Sequence, residues 1–297
     1  MVLYVRLNYM KNISELFLIF YRYTKCAWRL YVSNFMMMKS FSAGLSIICL
    51  LAYNNADAAD AKMAKAEKLF EMRCKNAGER IARTVDEVEG IYLLKLRTSK
   101  NFDEQFAMND PYGNDLINDG YIQTFLREHY QLMEIQRQRY PALARKSKPN
   151  THIGYAYVEA VNPADGKRYR YTGRIEQPGL TKPEYSRDYL EFVLDFTPSS
   201  NPLPRYGVTF DDISTHEDRL HWIAGSSLKV IDLKENKIIA ERIGYMLDRG
   251  QGSTNGGRSP WLMAARNSCP QFLLPSASAH QRSQTDRFVE KVLRPAR

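Results

Sequence analysis

Residues 36–58 contain the three ordered parts of a secretory signal peptide, and this feature decides which part of the chain has to fold. The cation Lys39 comes first, the apolar run LSIICLLA follows at 45–52, and the sequence ADA at 56–58 supplies the small residues that signal peptidase requires. The apolar run is too short to cross a bilayer, which takes roughly 20 residues. We therefore predict cleavage before Ala59 and a mature chain without a stable membrane span.

Residues 1–35 precede the signal peptide and do not fit it, because a signal peptide begins the chain that it exports. Their apolar stretch at 16–21 is followed by cations and shows no clean periodicity. Two interpretations are open. Either translation starts at one of the methionines at 36–38 and residues 1–35 are a gene-start artefact, which we prefer, or residues 1–35 are a long n-region or an amphipathic anchor.

The positive charge of the chain is concentrated in this first part. The formal net charge is +9, from 42 Lys and Arg against 33 Asp and Glu. Residues 1–58 hold six of these cations and two of the acids, so residues 59–297 carry 36 cations against 31 acids, a net +5. A nucleic-acid partner, which a strongly basic protein attracts, is therefore not expected.

Two of the four cysteines, Cys74 and Cys269, lie beyond the predicted cleavage site. An even number of cysteines in an exported chain predicts a disulfide. Cys74 also lies on the apolar stripe of a predicted amphipathic helix at 62–82, so its side chain should point toward the core. Two unrelated buried thiols are the alternative. Neither cysteine has a further ligand at zinc spacing, and we predict no metal site and no cofactor.

The second half of the chain predicts an antiparallel sheet. Two turn sequences, NPADGK at 162–167 and KEN at 234–236, each separate two strand-like segments and are typical of hairpins. The predicted strands are 88–96, 153–161, 168–175, 189–196, 205–210, 227–233 and 238–247. A second helix is predicted at 121–140, and a short one begins at Pro260, with Ser259 as its N-cap.

These elements predict an α+β fold: an antiparallel β-sheet of about six strands packed by the N-terminal amphipathic helix, with a short C-terminal helix. We predict a single exported domain at 59–274. Residues 275–297 are polar and predict a mobile tail.

The stretch 211–222 is the most suggestive for chemistry, because acids and histidines crowd together in it. Its candidate functional residues are Asp211, Asp212, His216 and His221. Such groups bind metals or transfer protons. A simpler interpretation is a short surface helix, with Ser214 and Glu217 at the spacing of a capping box. The two histidines are five residues apart and do not share a helix face, which favours the capping interpretation.

A glycine-rich loop at 249–259 lies just before the short C-terminal helix and includes the last candidate, Arg258. Glycine-rich backbone at a helix N-terminus, with a nearby cation, is one way to hold an anion. The spacing matches neither phosphate-binding fingerprint, because Asn255 stands where a third glycine is required and no Gly-Lys-Ser or Gly-Lys-Thr follows. We therefore favour a flexible connection.

Three stretches resemble a family of exported bacterial proteins of unknown function: 71–96 (EMRCKNAGERIARTVDEVEGIYLLKL), 205–245 (RYGVTFDDISTHEDRLHWIAGSSLKVIDLKENKIIAERIGY) and 250–270. The resemblance covers most of residues 66–270 and implies a bacterial envelope protein, periplasmic or secreted. It implies no reaction, ligand or catalytic residue. We predict a non-catalytic binding or interaction protein whose partner is an envelope protein or ligand. The alternative is an envelope hydrolase that uses the acids and histidines at 211–221.

Overall fold

An amphipathic helix over residues 59–74 (α1) opens the part of the chain that the computed structural model describes. That part is residues 59–97, 112, 118–140, 151–272, 277, 281 and 283–297. The predictions for residues 1–35 and 36–58 fall outside it. Helix α1 ends at Cys74, whereas the sequence predicted a helix to residue 82, because Gly78–Ile81 pairs with a strand of the sheet instead.

Eleven strands, five further α-helices and two 3₁₀ helices (Pro178–Leu180 and Asn255–Gly257) follow in the described residues. The strands are β1 (Gly78–Ile81), β2 (Val85–Val88), β3 (Gly90–Leu93), β4 (Tyr157–Val161), β5 (Arg168–Glu176), β6 (Glu191–Pro198), β7 (Tyr206–Asp212), β8 (Ile223–Asp232), β9 (Lys237–Leu247), β10 (Ser268–Cys269) and β11 (Leu293–Pro295). The helices are α2 (Asp119–Gln123), α3 (Arg127–Arg139), α4 (His216–Leu220), α5 (Pro260–Ala264) and α6 (Gln284–Val292).

Nine of the strands form one mixed sheet in the order β1-β9-β8-β7-β3-β4-β5-β6, with β10 also paired to β9. Strand β3 runs parallel to both of its neighbours, β4 and β7. The other two strands, β2 and β11, form a parallel pair of their own. The predicted antiparallel sheet of about six strands packed by an N-terminal helix is therefore wrong. A parallel pair is joined by a long crossover instead of a turn, so it leaves no hairpin signature in the sequence.

The main core lies between the sheet and the helices α2 and α6. Its buried side chains come from both layers and include Ile91, Leu93, Tyr121, Phe125, Tyr155, Val208, Leu228 and Phe288. Helix α1 belongs to a separate cluster, in which Ala66 and Leu69 pack with Ile223 and Leu247 of β8 and β9. Helices α1 and α6 thus each bury an apolar face against the sheet, which is what holds an α+β fold together.

The end of the chain is part of the core. Helix α6 places Phe288, Val289 and Val292 in the main cluster, each at most 2% exposed. Strand β11 then pairs with β2. The prediction of a mobile polar tail at 275–297 is therefore wrong for residues 284–295, which form α6 and β11. The apolar positions 288, 289 and 292 do have helical spacing, but the polar residues around them dominate the composition.

A disulfide joins Cys74, the last residue of α1, to Cys269 in β10, as the sequence predicted. The two Cα atoms are 5.6 Å apart, a normal separation for a disulfide. Because β10 pairs with β9, the bond ties the N-terminal helix to the sheet. None of the helices in the described residues is both long enough and apolar enough to cross a membrane.

Candidate functional site

The two aspartates that end β7 bind different partners. Asp211 accepts a hydrogen bond from Lys229 Nζ at 2.8 Å and is also bound by Lys95. Asp212 is bound by Arg219. The lysines hold the pKa of Asp211 below its usual value, whereas burial raises the pKa of Asp212. Consecutive residues of a strand face opposite sides of the sheet, so these two acids do not form one site.

Helix α4 is capped one residue later than the sequence predicted. Thr215 is the N-cap: its Oγ1 accepts the N–H of Asp218 at 3.1 Å, and the Asp218 carboxylate accepts the N–H of Thr215 at 2.8 Å. This reciprocal pair is a capping box. The predicted pair, Ser214 and Glu217, is wrong, because the Oγ of Ser214 accepts the N–H of Gly225 in β8 at 2.8 Å.

The two histidines lie at opposite ends of α4. His216 is its first residue and is exposed, whereas His221 follows its last residue and is buried. Burial lowers the pKa of His221. Within the described ranges, no group of three or more His, Cys, Asp or Glu side chains is placed to hold a metal ion. The predicted acids therefore bind separate cations, and the two histidines lie apart at the two ends of α4.

Replacing Thr215 by alanine is expected to lower the free energy of unfolding by about 1 kcal/mol, because the N–H of Asp218 loses its capping oxygen. The variant Thr215→Ser keeps the hydroxyl and should be close to the wild type. Urea unfolding of both variants measures the difference. Equal stability of the alanine and serine variants would show that this cap does not stabilise α4.

The glycine-rich loop closes around an ion pair within the protein. The fully buried carboxylate of Asp248 binds the guanidinium of Arg258 through both oxygens. It also accepts the N–H groups of Gly250 and Gly252 at 3.0 and 2.8 Å. A Cβ at Gly252 would lie 2.0 Å from the ring of Trp222, so the backbone approaches that ring closely. Arg258 already has an anion, and the loop is packed at Gly250 and Gly252 and exposed at residues 254–257.

Arg242 in β9 carries a buried charge that the sequence analysis missed. Its side chain is only 7% exposed. Its Nη1 donates to Oε1 of Gln284 in α6 at 2.7 Å and to the hydroxyl of Tyr112 at 3.2 Å. The carboxylate of Glu79 lies 3.8 Å from Nε and is itself bound by Lys291 at 2.5 Å. Arg242 therefore has no carboxylate at hydrogen-bond distance among the described residues.

A group of buried titratable side chains, also missed, lies where α6 meets α3. Oδ2 of Asp286 is 3.0 Å from the hydroxyl of Tyr130. Burial raises the pKa of Asp286 to about 6. Beside it, Oε2 of Glu290 is 2.6 Å from Nδ1 of His152. Burial acts to lower the pKa of His152, but the hydrogen bond and charge of Glu290 outweigh it, and the pKa is raised.

Two sequence signals point to these residues once the elements are known. In β9, Arg242 alternates with Ala240 and Met246, which are both buried, so it occupies an inward position of the strand. In α6, Asp286 stands three residues before Val289 and shares its buried face. A charged residue at an inward position is the signal in both cases.

These observations define an α+β protein with a mixed sheet, a disulfide between its N-terminal helix and that sheet, and buried charges beside its last helix. Comparison with protein-family models, with curated proteins and with solved structures gives no match. The resemblance of residues 66–270 to exported bacterial proteins remains a prediction from the sequence.

Proposed function

We propose that this chain is an exported bacterial protein, periplasmic or secreted, that binds a ligand or partner and does not catalyse a reaction. The observation that carries the export proposal is the disulfide between Cys74 and Cys269. Structural disulfides persist in oxidising compartments such as the periplasm and are rare in the cytosol. The signal peptide predicted at 36–58 supports the same compartment independently.

The contacts of the acidic side chains favour binding over hydrolysis. Asp211 is bound by two lysines, and Asp212 by Arg219. Asp218 is fully buried, caps α4 and accepts a hydrogen bond from Arg73 at 2.9 Å. A general acid or base has to reach a substrate, whereas these carboxylates hold elements of the fold together.

The export proposal predicts processing. Protein purified from its bacterial host is expected to begin at or near Ala59, because signal peptidase cleaves after the small residue of an A-x-A sequence. N-terminal sequencing and intact mass measure this directly. An Ala58→Phe variant, which places a bulky residue at the cleavage position, should accumulate unprocessed. A folded product that retains peptides from residues 1–35 would contradict the proposal.

The hydrolase alternative can be tested with the two histidines. If the purified protein shows a hydrolytic activity, His216→Ala and His221→Ala are expected to leave it unchanged, since His216 is exposed on a short helix and His221 is buried behind it. Circular dichroism serves as the folding control. Loss of the activity in a folded histidine variant would favour the hydrolase.

A further inference from the structure

A cavity of about 230 Å³ lies beside α6. Its wall combines three cations, one carboxylate and two aromatic rings: Arg242, Arg287, Lys291, Glu79, Phe272 and Phe288. The amides of Gln271 and Gln284 complete the lining. The wall is therefore positively charged on balance and partly apolar, which suits an anion that carries an apolar group.

One edge of the Arg242 guanidinium, formed by Nε and Nη2, makes no hydrogen bond with the residues that the structure describes. Nη1 makes both of its hydrogen bonds, whereas Nη2 makes none with the described residues and Nε has only the 3.8 Å contact with Glu79. Arg258, by contrast, binds a carboxylate through both oxygens. Arg242 is ion-paired with Glu79 at 3.8 Å but has no carboxylate hydrogen-bonded to it among the described residues, and a bound anion would supply one.

We propose that this cavity binds a small organic carboxylate and that Arg242 holds its two oxygens. The Nε and Nη2 groups of an arginine form a planar fork that matches a carboxylate. Phe272, whose ring centroid lies 5.6 Å from the guanidinium carbon, and Phe288 offer the surface for the apolar part. A cavity of about 150 Å³ holds benzene, so this one accommodates a ligand of the size of benzoate. The inference gives the proposed binding role a site and a ligand class, and it rests on that role.

The test is calorimetric titration of the purified, disulfide-bonded protein with benzoate and with benzamide, an uncharged molecule of the same shape. Benzoate is expected to bind at least about tenfold more tightly, because only benzoate makes charge-assisted hydrogen bonds with Arg242. Equal affinities, or no binding of benzoate at millimolar concentration, would overturn the proposal. Tighter binding of inorganic phosphate than of benzoate would overturn the organic carboxylate as the ligand class.

A matched pair of variants locates the binding residue. Arg242→Gln removes the charge but keeps a side chain that can hydrogen-bond with Gln284, and it is expected to weaken benzoate binding at least about tenfold. Its affinity for benzamide should not change. Arg174→Gln removes one positive charge from an exposed position of β5 and should bind benzoate as the wild type does. An undiminished benzoate affinity in Arg242→Gln would contradict the assignment.

A second measurement keeps the test decisive if Arg242→Gln does not fold. Benzoate is expected to shift the side-chain amide NMR signals of Gln271 and Gln284 in the wild-type protein. Lys291→Gln, at the exposed rim, should weaken benzoate binding by about twofold to fivefold, the usual range for one exposed charge. Shifts confined to residues outside the cavity would overturn the site.

Failure of this proposal is distinguishable from failure of the proposed function. A processed, exported protein that does not bind benzoate would reject the cavity site and leave export standing. A protein that binds benzoate through Arg242 but retains residues 1–58 in the cytoplasm would reject export and leave the site standing.

Discussion

Replacing Cys74 and Cys269 together by serine is expected to lower the free energy of unfolding by about 2–4 kcal/mol. The two cysteines are 195 positions apart, so the disulfide closes a very long loop of the unfolded chain. Chain entropy alone predicts about 5 kcal/mol for so long a loop, but measured effects are usually smaller. For a protein of this size, the melting temperature should fall by about 5–15 °C. Thermal and urea unfolding of the oxidised protein and the double variant measure the loss.

Reduction provides the matched control. Adding a reductant should destabilise the wild type by the same amount and leave the Cys74→Ser, Cys269→Ser variant unchanged, because the variant has no bond to break. If oxidised and reduced wild type unfold at the same urea concentration, the disulfide does not stabilise the folded protein. Finding both thiols free in protein purified from its host would remove the structural support for export.

The features that the sequence predicted correctly depend on local signals. Cys74 lies on an apolar helix stripe, and only one other cysteine, Cys269, follows it in the chain. The hairpins β4–β5 and β8–β9 follow from their turns, where Gly166 and Asn236 adopt φ of 69° and 50°. Residues close in sequence specify such features, so no knowledge of the rest of the fold is needed.

The order of the sheet depends on contacts that leave no local trace. Strand β3 lies between β4 and β7, and no turn connects it to either. The helical pattern at 62–82 continues through Ile81, yet Gly78, with φ of 141°, lies where the chain changes from helix to strand. Pairing of β1 with β9 decides between the two structures, and it involves residues more than a hundred positions away.

The sequence predicted a capped helix in the stretch 211–222 but not the residues that cap it. Both Ser214 with Glu217 and Thr215 with Asp218 have the spacing of a cap, and the choice depends on the N–H of Gly225, which occupies the Ser214 hydroxyl. The cavity at Arg242 depends on α6, a segment whose polar composition predicted a tail. Its neighbouring charges therefore could not be assigned an environment from the sequence.

The variant Asp286→Asn is expected to be more stable than the wild type above about pH 6 and equal to it near pH 4. Burial raises the pKa of Asp286 from 3.8 to about 6. Between these values the unfolded chain releases a proton that the folded protein keeps. The stability that the protonated Asp286 contributes is therefore fully present below pH 3.8, the unfolded pKa. It is lost as the pH rises through about 6, the folded pKa. A shift of two units corresponds to about 3 kcal/mol. Asparagine keeps the shape of the side chain and has no charge to bury.

Urea unfolding between about pH 4 and pH 8 tests this prediction. The groups that face Asp286 are Tyr130 on α3, His152 and Glu290 on α6. The raised pKa of His152 adds stability that is also lost with rising pH. The free energy of unfolding of Asp286→Asn should therefore still decrease with pH, but less steeply than that of the wild type. Asp211→Asn is the control, for which the opposite effect is expected. Lysines lower the pKa of Asp211, so its carboxylate contributes stability above the usual aspartate pKa. The Asp211→Asn variant should therefore be less stable than the wild type at pH 7. If Asp286→Asn were less stable than the wild type at pH 8, the ionised Asp286 would be stabilised by its surroundings, His152 among them, and its pKa would not be raised.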